Sequence, residues 1–415
     1  MTELCSVLSI PINIDYRQPV ADDRIDAKTA ADRLGVKPAT LYSYVSRGVL
    51  RRHFDPDRRR SLFDPADIER LARRGKPRRR AAPTEIAIES RITVLGPDRP
   101  YYRGRDALEL ADTHRFEAVA EWLWGGELTD SGPWRCRLRA VATARAVQYG
   151  LPTDLAPLDR VQIIVTALSV SDPLRFHLDP GAVTATARTL IAGMAEALPP
   201  LSEPAGPTIA EMLWSRLCPH PPESDRVLKA LDTALILLAD HELASSTFAA
   251  RVAASVRADP YAVVGTGLGT VGGPMHGGAT RAVERLLADI PDRAAVPRVI
   301  GDLLRRGERI PGAGHAVYRD ADARGAHLFE QIRRLAPDHP KLLAAEAILT
   351  ELRIRRQPEH NIDFALATLC AVYGLVPGSG EAIFAVARTA GWLAHAMEEY
   401  AGGTPLRPRA LPARS

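Results

Sequence analysis

From residue 107 to residue 400, apolar side chains recur at helical spacing in one stretch after another, and prolines break the stretches apart. The segments 134–147, 161–168, 182–198, 211–217 and 225–238 carry that spacing, as do 251–256, 261–268, 342–352 and 381–400. No unit of fixed period repeats among them. Aromatic residues make up only 6% of the chain while Ala, Leu and Arg abound, which favours helix over sheet. The expected fold is mainly α. At 415 residues the chain is too long for one ordinary core, and its 46% hydrophobic and 25% charged content is ample for two or three compact units.

The four cysteines, Cys5, Cys136, Cys218 and Cys370, show no paired spacing, which argues against a disulfide framework or a zinc site and fits a reducing cytosol. Residues 1–14 carry no basic leader ahead of their short apolar run, and nothing later reaches about 18 uninterrupted apolar residues. A cytoplasmic protein with no membrane partner is expected.

The net charge of +4 hides an asymmetry. Residues 24–80 hold 17 Lys or Arg against 7 Asp or Glu, so that segment carries +10 and the remainder −6. A basic module on a mildly acidic body suggests a polyanion partner for the first part. Residues 1–23 have no strong period and read as an arm. From Asp26, Ala27, Ala30, Ala31 and Leu34 share one helical face, Gly35 ends the run, and a second short helix starts at Pro38 with Leu41 and Val45 inward. Thr40, Tyr42, Ser43 and Arg47 are then left facing outward. Residues 49–52 and 59–63 read as short strands around Asp55-Pro56-Asp57, followed by an Asp64 cap, Pro65, and Ile68 and Leu71 turned inward.

Ala30-Ala31-Asp32-Arg33-Leu34-Gly35-Val36 with Thr40-Leu41-Tyr42 resembles the winged helix-turn-helix of the MerR and excisionase type, over residues 24–74. The resemblance implies DNA as a partner, with Thr40, Tyr42, Ser43 and Arg47 toward a major groove and Arg51, Arg52, Arg58, Arg59 and Arg60 toward phosphates. Residues 75–84, basic and proline-containing, read as a linker. A second unit begins near Glu85, where Ile86, Ile88, Ile92 and Val94 nearly alternate with polar residues and suggest a hairpin. Tyr101-Tyr102-Arg103-Gly104 then leads into helical pattern at 107–110 and 116–123.

Two histidines sit in glycine-rich punctuation. His276 lies in Gly272-Gly273-Pro274-Met275-His276-Gly277-Gly278-Ala279, just ahead of the helical pattern Ala282, Val283, Leu286, Leu287. The partial positive charge of a helix N-terminus disfavours imidazolium, so a neutral donor is expected there. His315 lies in Ile310-Pro311-Gly312-Ala313-Gly314-His315-Ala316-Val317-Tyr318-Arg319, with Arg324 close behind. His241 in Asp240-His241-Glu242 follows the apolar run 234–239 and needs buried partners. His360-Asn361-Ile362-Asp363-Phe364 sets a carboxylate at the entrance to an apolar helix, where an Asp is ordinarily a cap or dipole partner. Together, a carboxylate able to take a proton alpha to a carbonyl, two neutral histidine donors and arginines able to clamp carboxylates are equipment for a carbon–carbon condensation without a metal.

Those four motifs, in their order along the chain, resemble the citrate synthase family over residues 85–410. The resemblance implies an almost wholly helical homodimer, with a large domain at 85–277 and 378–415 and a small domain at 278–377. It implies an acyltransferase that converts the acyl group into alkyl on transfer, joining acetyl-CoA to oxaloacetate and hydrolysing citryl-CoA. Coenzyme A thioester is substrate, and no cofactor is required. Residue by residue, it makes Asp363 the base, His276 the donor to the enol and His315 the donor to the oxaloacetate carbonyl. His241, Arg324 and Arg388 fall on oxaloacetate-binding positions, and Arg407 on the arginine that reaches in from the other subunit. Ile310, Pro311, Gly312, Ala313 and Gly314 fall on the adenine-contacting segment, with Arg319 near CoA phosphates.

Ala244, Ala323, Thr280-Arg281 and Ala156-Pro157-Leu158-Asp159 depart from the family pattern, where Asn, Pro, Asn-Glu and His-Pro-Met-Asp are common. The alternatives are 2-methylcitrate synthase, using propionyl-CoA, and a DNA-binding regulator with a metabolite-sensing domain of this fold.

Overall fold

The computed structural model describes residues 24–34, 36–46, 48–55, 59–68, 71, 88–318 and 321–408. The chain divides into two compact units, Met1–Ile88 and Glu89–Ser415.

In the first unit the helices Ala27–Leu34 and Pro38–Ser46 accompany an antiparallel sheet in the order Ile25–Asp26, Arg60–Phe63, His53–Asp55. Asp26 starts the first helix, its Oδ1 accepting the Thr29 N–H at 2.8 Å. Ala30, Ala31, Leu41, Leu50, Phe63 and Ile68 form a small apolar core. The strand expected at 49–52 lies instead at His53–Asp55, with His53 opposite Leu62. The physical reason is at the helix exit: Val49 and Leu50 N–H both donate to the Tyr44 carbonyl, and Leu50 turns into the core, so pairing begins only afterwards. Thr40 and Tyr42 are exposed and Ser43 is half-buried. Arg51, Arg52, Arg59 and Arg60 are exposed, Arg51 lying 3.5 Å from Asp67. Arg47 and Arg58 lie outside the described residues, as do the arm 1–23 and the linker 75–84.

The second unit opens with a three-stranded antiparallel sheet, Thr93–Leu95, Pro100–Tyr102 and Arg105–Asp106. Ile86 lies outside the described residues; Tyr101-Tyr102 form part of the middle strand, and the helix Ala107–Thr113 follows where the pattern at 107–110 places it. Tyr102 is buried, and its hydroxyl donates to the carbonyls of Ile236 and Asp240, which ties the sheet to the helix Asp225–Leu238.

Helices make up most of the rest. Every residue from Ser379 to Ala396 in the helix Ser379–Gly402 is buried, as its nearly all-round apolar sequence requires. Around it pack Ser245–Ser255, Pro260–Val271, Pro180–Glu196, Asp225–Leu238, Phe116–Gly125 and Pro157–Val170. A second group centres on Ile362–Val372, against which Gly278–Asp289, Ala323–Leu335 and Pro340–Ile354 pack. The helical pattern read over 134–147 holds only for Leu138–Ala146. Trp134 stands outside it, its indole stacked on Trp124. No helix among the described residues is long and apolar enough to cross a membrane.

Candidate active site

One cavity receives the ends of several elements. The turn after Asp225–Leu238 brings His241, the glycine-rich turn before Gly278–Asp289 brings His276, the loop ahead of Ala323–Leu335 brings His315, and the first turn of Ile362–Val372 brings Asp363. Arg324, at the start of its helix, and Arg388, from the buried Ser379–Gly402 helix, line the same space.

The tautomer of each loop histidine follows from its neighbours. The Ser246 N–H, which can only donate, lies 3.4 Å from His276 Nε2, and Ser246 Oγ lies 2.8 Å from the same atom. Trp392 Nε1–H donates to that Oγ at 3.2 Å, so the serine's own hydrogen goes to Nε2. Nε2 is therefore the acceptor, and Nδ1 carries the proton. At His315 the Val317 and Tyr318 N–H groups both donate to Nδ1 at 3.1 Å, which puts the proton on Nε2. That Nε2–H stands 3.3 Å from Arg324 Nη2, itself a donor. Two donors converging on one place call for an acceptor oxygen between them.

Burial, aided by the positive charge of nearby arginines, pushes both imidazoles down to about 4. For His276 desolvation is the larger cause and Arg388 adds to it, and the ring also lies just ahead of the helix Gly278–Asp289. His241, almost fully buried, is held well below the usual histidine range by burial and then by Arg324 and Arg388. Its Nε2 lies 3.0 Å from the Tyr318 hydroxyl, and the Tyr318 ring stacks on His315 at 4.6 Å. The turn that presents His241 places Glu242 at φ 53, a left-handed conformation uncommon for a non-glycine residue.

The two guanidiniums differ. Arg324 Nε and Nη2 grip Asp322 Oδ1 and Oδ2, each at 2.9 Å, in a fork with both side chains buried. Asp322 Oδ2 also accepts the Ile362 N–H at 3.0 Å, which fastens the start of the helix bearing Asp363. Arg388 donates from Nε to the Leu238 carbonyl at 2.7 Å, and its terminal nitrogens have no partner among the described residues. Burial lowers it to about 10, so it remains charged at neutral pH. Asp240 and Asp363 act on it from a distance, but among the described residues no carboxylate forms an ion pair with it, which suits an anionic ligand.

Asp363 is not the cap of its helix. Asn361 is, its Oδ1 accepting the Phe364 N–H at 3.2 Å. The Asp363 carboxyl is raised to about 6 by desolvation, which outweighs the opposing pull of Thr280 and the arginines.

The loop Ile310–Gly314 is held against the segment before that helix. Gly314 N–H donates to the Glu359 carbonyl at 2.8 Å, Asn361 N–H to the Gly312 carbonyl at 2.9 Å, and Asn361 Nδ2 to the Gly314 carbonyl at 2.8 Å. Of the five loop residues, Gly314 lines the cavity; Ile310 and Gly312 are buried, and Pro311 and Ala313 are half-buried. Arg319 lies outside the described residues. Arg407 is exposed and is not on the cavity wall of this chain.

The family model for the citrate synthase C-terminal domain matches residues 84–409. The chain belongs to the citrate synthase family.

Its relatives divide between two names. It is 29% identical to "Citrate synthase 2" of Bacillus subtilis over 78% of this chain and 93% of that one. It is 31% identical to "2-methylcitrate synthase" of Mycobacterium tuberculosis over 74% of this chain and 82% of that one. Among solved structures it is similar to the citrate synthase of Thermotoga maritima, with a TM-score of 0.64 at 25% identity, covering 82% of this chain and 96% of that one. The chain is thus a citrate synthase-family acyltransferase, and condensation of the family type is its chemistry.

Four residues to which the sequence alone assigned no role touch the site side chains: Ser246, Tyr318, Asp322 and Thr280, the last noted there only as a departure from the family pattern. Asp322, two residues before Arg324, had the one usable signal, since an acid so close to a buried arginine is a natural partner. The others are ordinary hydroxyls until the fold brings them to a histidine or a carboxylate. One departure from the family pattern has a local account: Ala323 N–H donates to the Asp98 carbonyl at 3.0 Å, a bond proline could not make.

Proposed function

We propose that the protein condenses acetyl-CoA with oxaloacetate and hydrolyses the resulting citryl-CoA to citrate and CoA. The observation that carries this is the convergence, in one cavity, of two neutral histidines of fixed tautomer, a carboxyl raised to about 6 and an arginine charge with no ion-paired carboxylate among the described residues.

Asp363 takes a proton from the acetyl methyl, and the charge that develops on the thioester oxygen is met by His276 Nδ1–H. The neutral imidazole matches this task, because it donates without drawing a full proton. The enol carbon attacks the oxaloacetate carbonyl, whose oxygen takes the place between His315 Nε2–H and Arg324. Arg388, Arg324 and His241 hold the oxaloacetate carboxylates, Arg388 through its two terminal nitrogens in bidentate fashion and Arg324 through the Nη1 that Asp322 leaves open. Water then cleaves the thioester. Ile310–Gly314 with Arg319 takes the CoA end, and Arg407 completes the site of the partner subunit in a homodimer, with helices 278–377 closing as the small domain.

The split among relatives favours one second reading, 2-methylcitrate synthesis from propionyl-CoA. One methylene is worth about 1–3 kcal/mol in a pocket, so the preference is a ratio and not an exclusion. CoA release with oxaloacetate and each thioester measures it. A kcat/KM at least tenfold higher with acetyl-CoA supports the leading reading, and the reverse ratio assigns 2-methylcitrate synthase. For the basic first unit, the exposed Thr40, Tyr42, Arg51, Arg52, Arg59 and Arg60 support DNA as a partner of a winged helix-turn-helix. Anisotropy with duplex DNA across a salt series tests it, a flat response excluding it.

A further inference from the structure

The Thr280 hydroxyl donates to Asp363 Oδ1 at 2.6 Å, while Oδ2 has no partner among the described residues. Thr280 is fully buried in the first turn of the helix Gly278–Asp289. Helical threonines elsewhere in the chain, such as Thr166, Thr266 and Thr389, turn the hydroxyl back to the carbonyl four residues earlier. Thr280 bonds a side chain on another helix instead.

Packing fixes that choice. Thr280 Cγ2 sits over Gly380, where any Cβ would collide with it. Gly380 is in turn fastened from the Thr280 helix, because Glu284 accepts the Gly378 N–H at 2.7 Å and the Gly380 N–H at 3.0 Å. With its methyl seated on Gly380, the threonine points its oxygen at Asp363.

We propose that Thr280 is a positioning residue that holds Oδ1 of Asp363 and so selects Oδ2 as the oxygen that accepts the substrate proton. The proposal rests on the reading of Asp363 as the base. In the step it serves, the methyl C–H bond breaks, its proton goes to Oδ2, and its electron pair becomes the enolate whose charge lies on the thioester oxygen. Without the hydroxyl the carboxyl loses both its orientation about a soft terminal torsion and a hydrogen bond that favours its ionised form. The sign follows: burial raises the carboxyl, Thr280 lowers it, so removing the hydroxyl raises it further and demands a higher pH for an ionised base.

The test follows the Asp363 carboxyl carbon by 13C NMR in aspartate-labelled full-length protein, beside the pH profile of kcat/KM for acetyl-CoA. The wild-type midpoint is expected near 6. Thr280→Val, which keeps the shape, moves midpoint and acid limb up by about one pH unit, the worth of one hydrogen bond to a charged group. Thr280→Ser leaves both near wild type, and Thr280→Ala replaces the valine variant if that does not fold. An unmoved midpoint in a folded Val or Ala variant overturns the proposal, as does a Ser variant shifted as far as Val. Failure of the condensation reading shows separately, as absent CoA release from the wild type, while the NMR midpoint still decides whether Thr280 holds Asp363.

Discussion

At His276 one serine decides the chemistry. Ser246 lies between the Trp392 indole and the imidazole, accepting from the first and donating to the second, so it sets which ring nitrogen is left with a hydrogen. Ser246→Ala should lower kcat by roughly 10- to 100-fold, the scale of a misplaced donor or acid–base partner. Oxaloacetate affinity by calorimetry should stay unchanged, because the arginines are untouched. A loss of oxaloacetate binding equal to the loss of rate would contradict the assignment. The variant also leaves the Trp392 N–H without its acceptor, a cost of about 1–3 kcal/mol in stability. Little of this detail is legible in a sequence. His276, His315 and Asp363 announce themselves by glycine punctuation and motif order, whereas Ser246 and Thr280 gain meaning only from a partner 30 and 83 positions away.

At the scale of elements, the glycine-rich loop shows why its sequence is so constrained. Gly312 has φ 74, and a Cβ there would stand 2.8 Å from both Phe364 Cβ and Val283 Cγ2. The loop, the Asp363 helix and the helix Gly278–Asp289 therefore meet at a point with room for no side chain. Gly312→Ala combines a disfavoured backbone with overpacking, and should destabilise by about 1–3 kcal/mol, read as a lower denaturant midpoint at unchanged slope. An alanine variant as stable as wild type would contradict this packing. Helix type and order were readable because apolar periodicity survives single substitutions. The misplaced strand at 49–52 was not, because the turn at Tyr44 and the inward Leu50 are tertiary choices with no period of their own. The helix Val296–Arg305 was legible as well, since Val296, Val299, Ile300, Leu303 and Leu304 keep helical spacing along one face, although the motifs on either side drew the reading past it.

Across the whole molecule, the cavity joins two groups of helices, one around Ser379–Gly402 and one around Ile362–Val372, both of which supply its charged side chains. A dianion held by Arg388 and Arg324 would link those groups. Oxaloacetate at a hundredfold excess over its Kd should then stabilise the fold by about 2.7 kcal/mol through mass action, seen as a raised melting temperature. Arg388→Leu should abolish that response, and a full response in the variant would remove Arg388 from the binding role.

The central claim is that Asp363 starts a condensation in this cavity, and CoA release from oxaloacetate plus acetyl-CoA compares the wild type with Asp363→Ala directly. The account predicts turnover by the wild type and a loss of roughly 10²- to 10⁴-fold in a folded alanine variant, the range for a general base. Equal rates in the two proteins would contradict it.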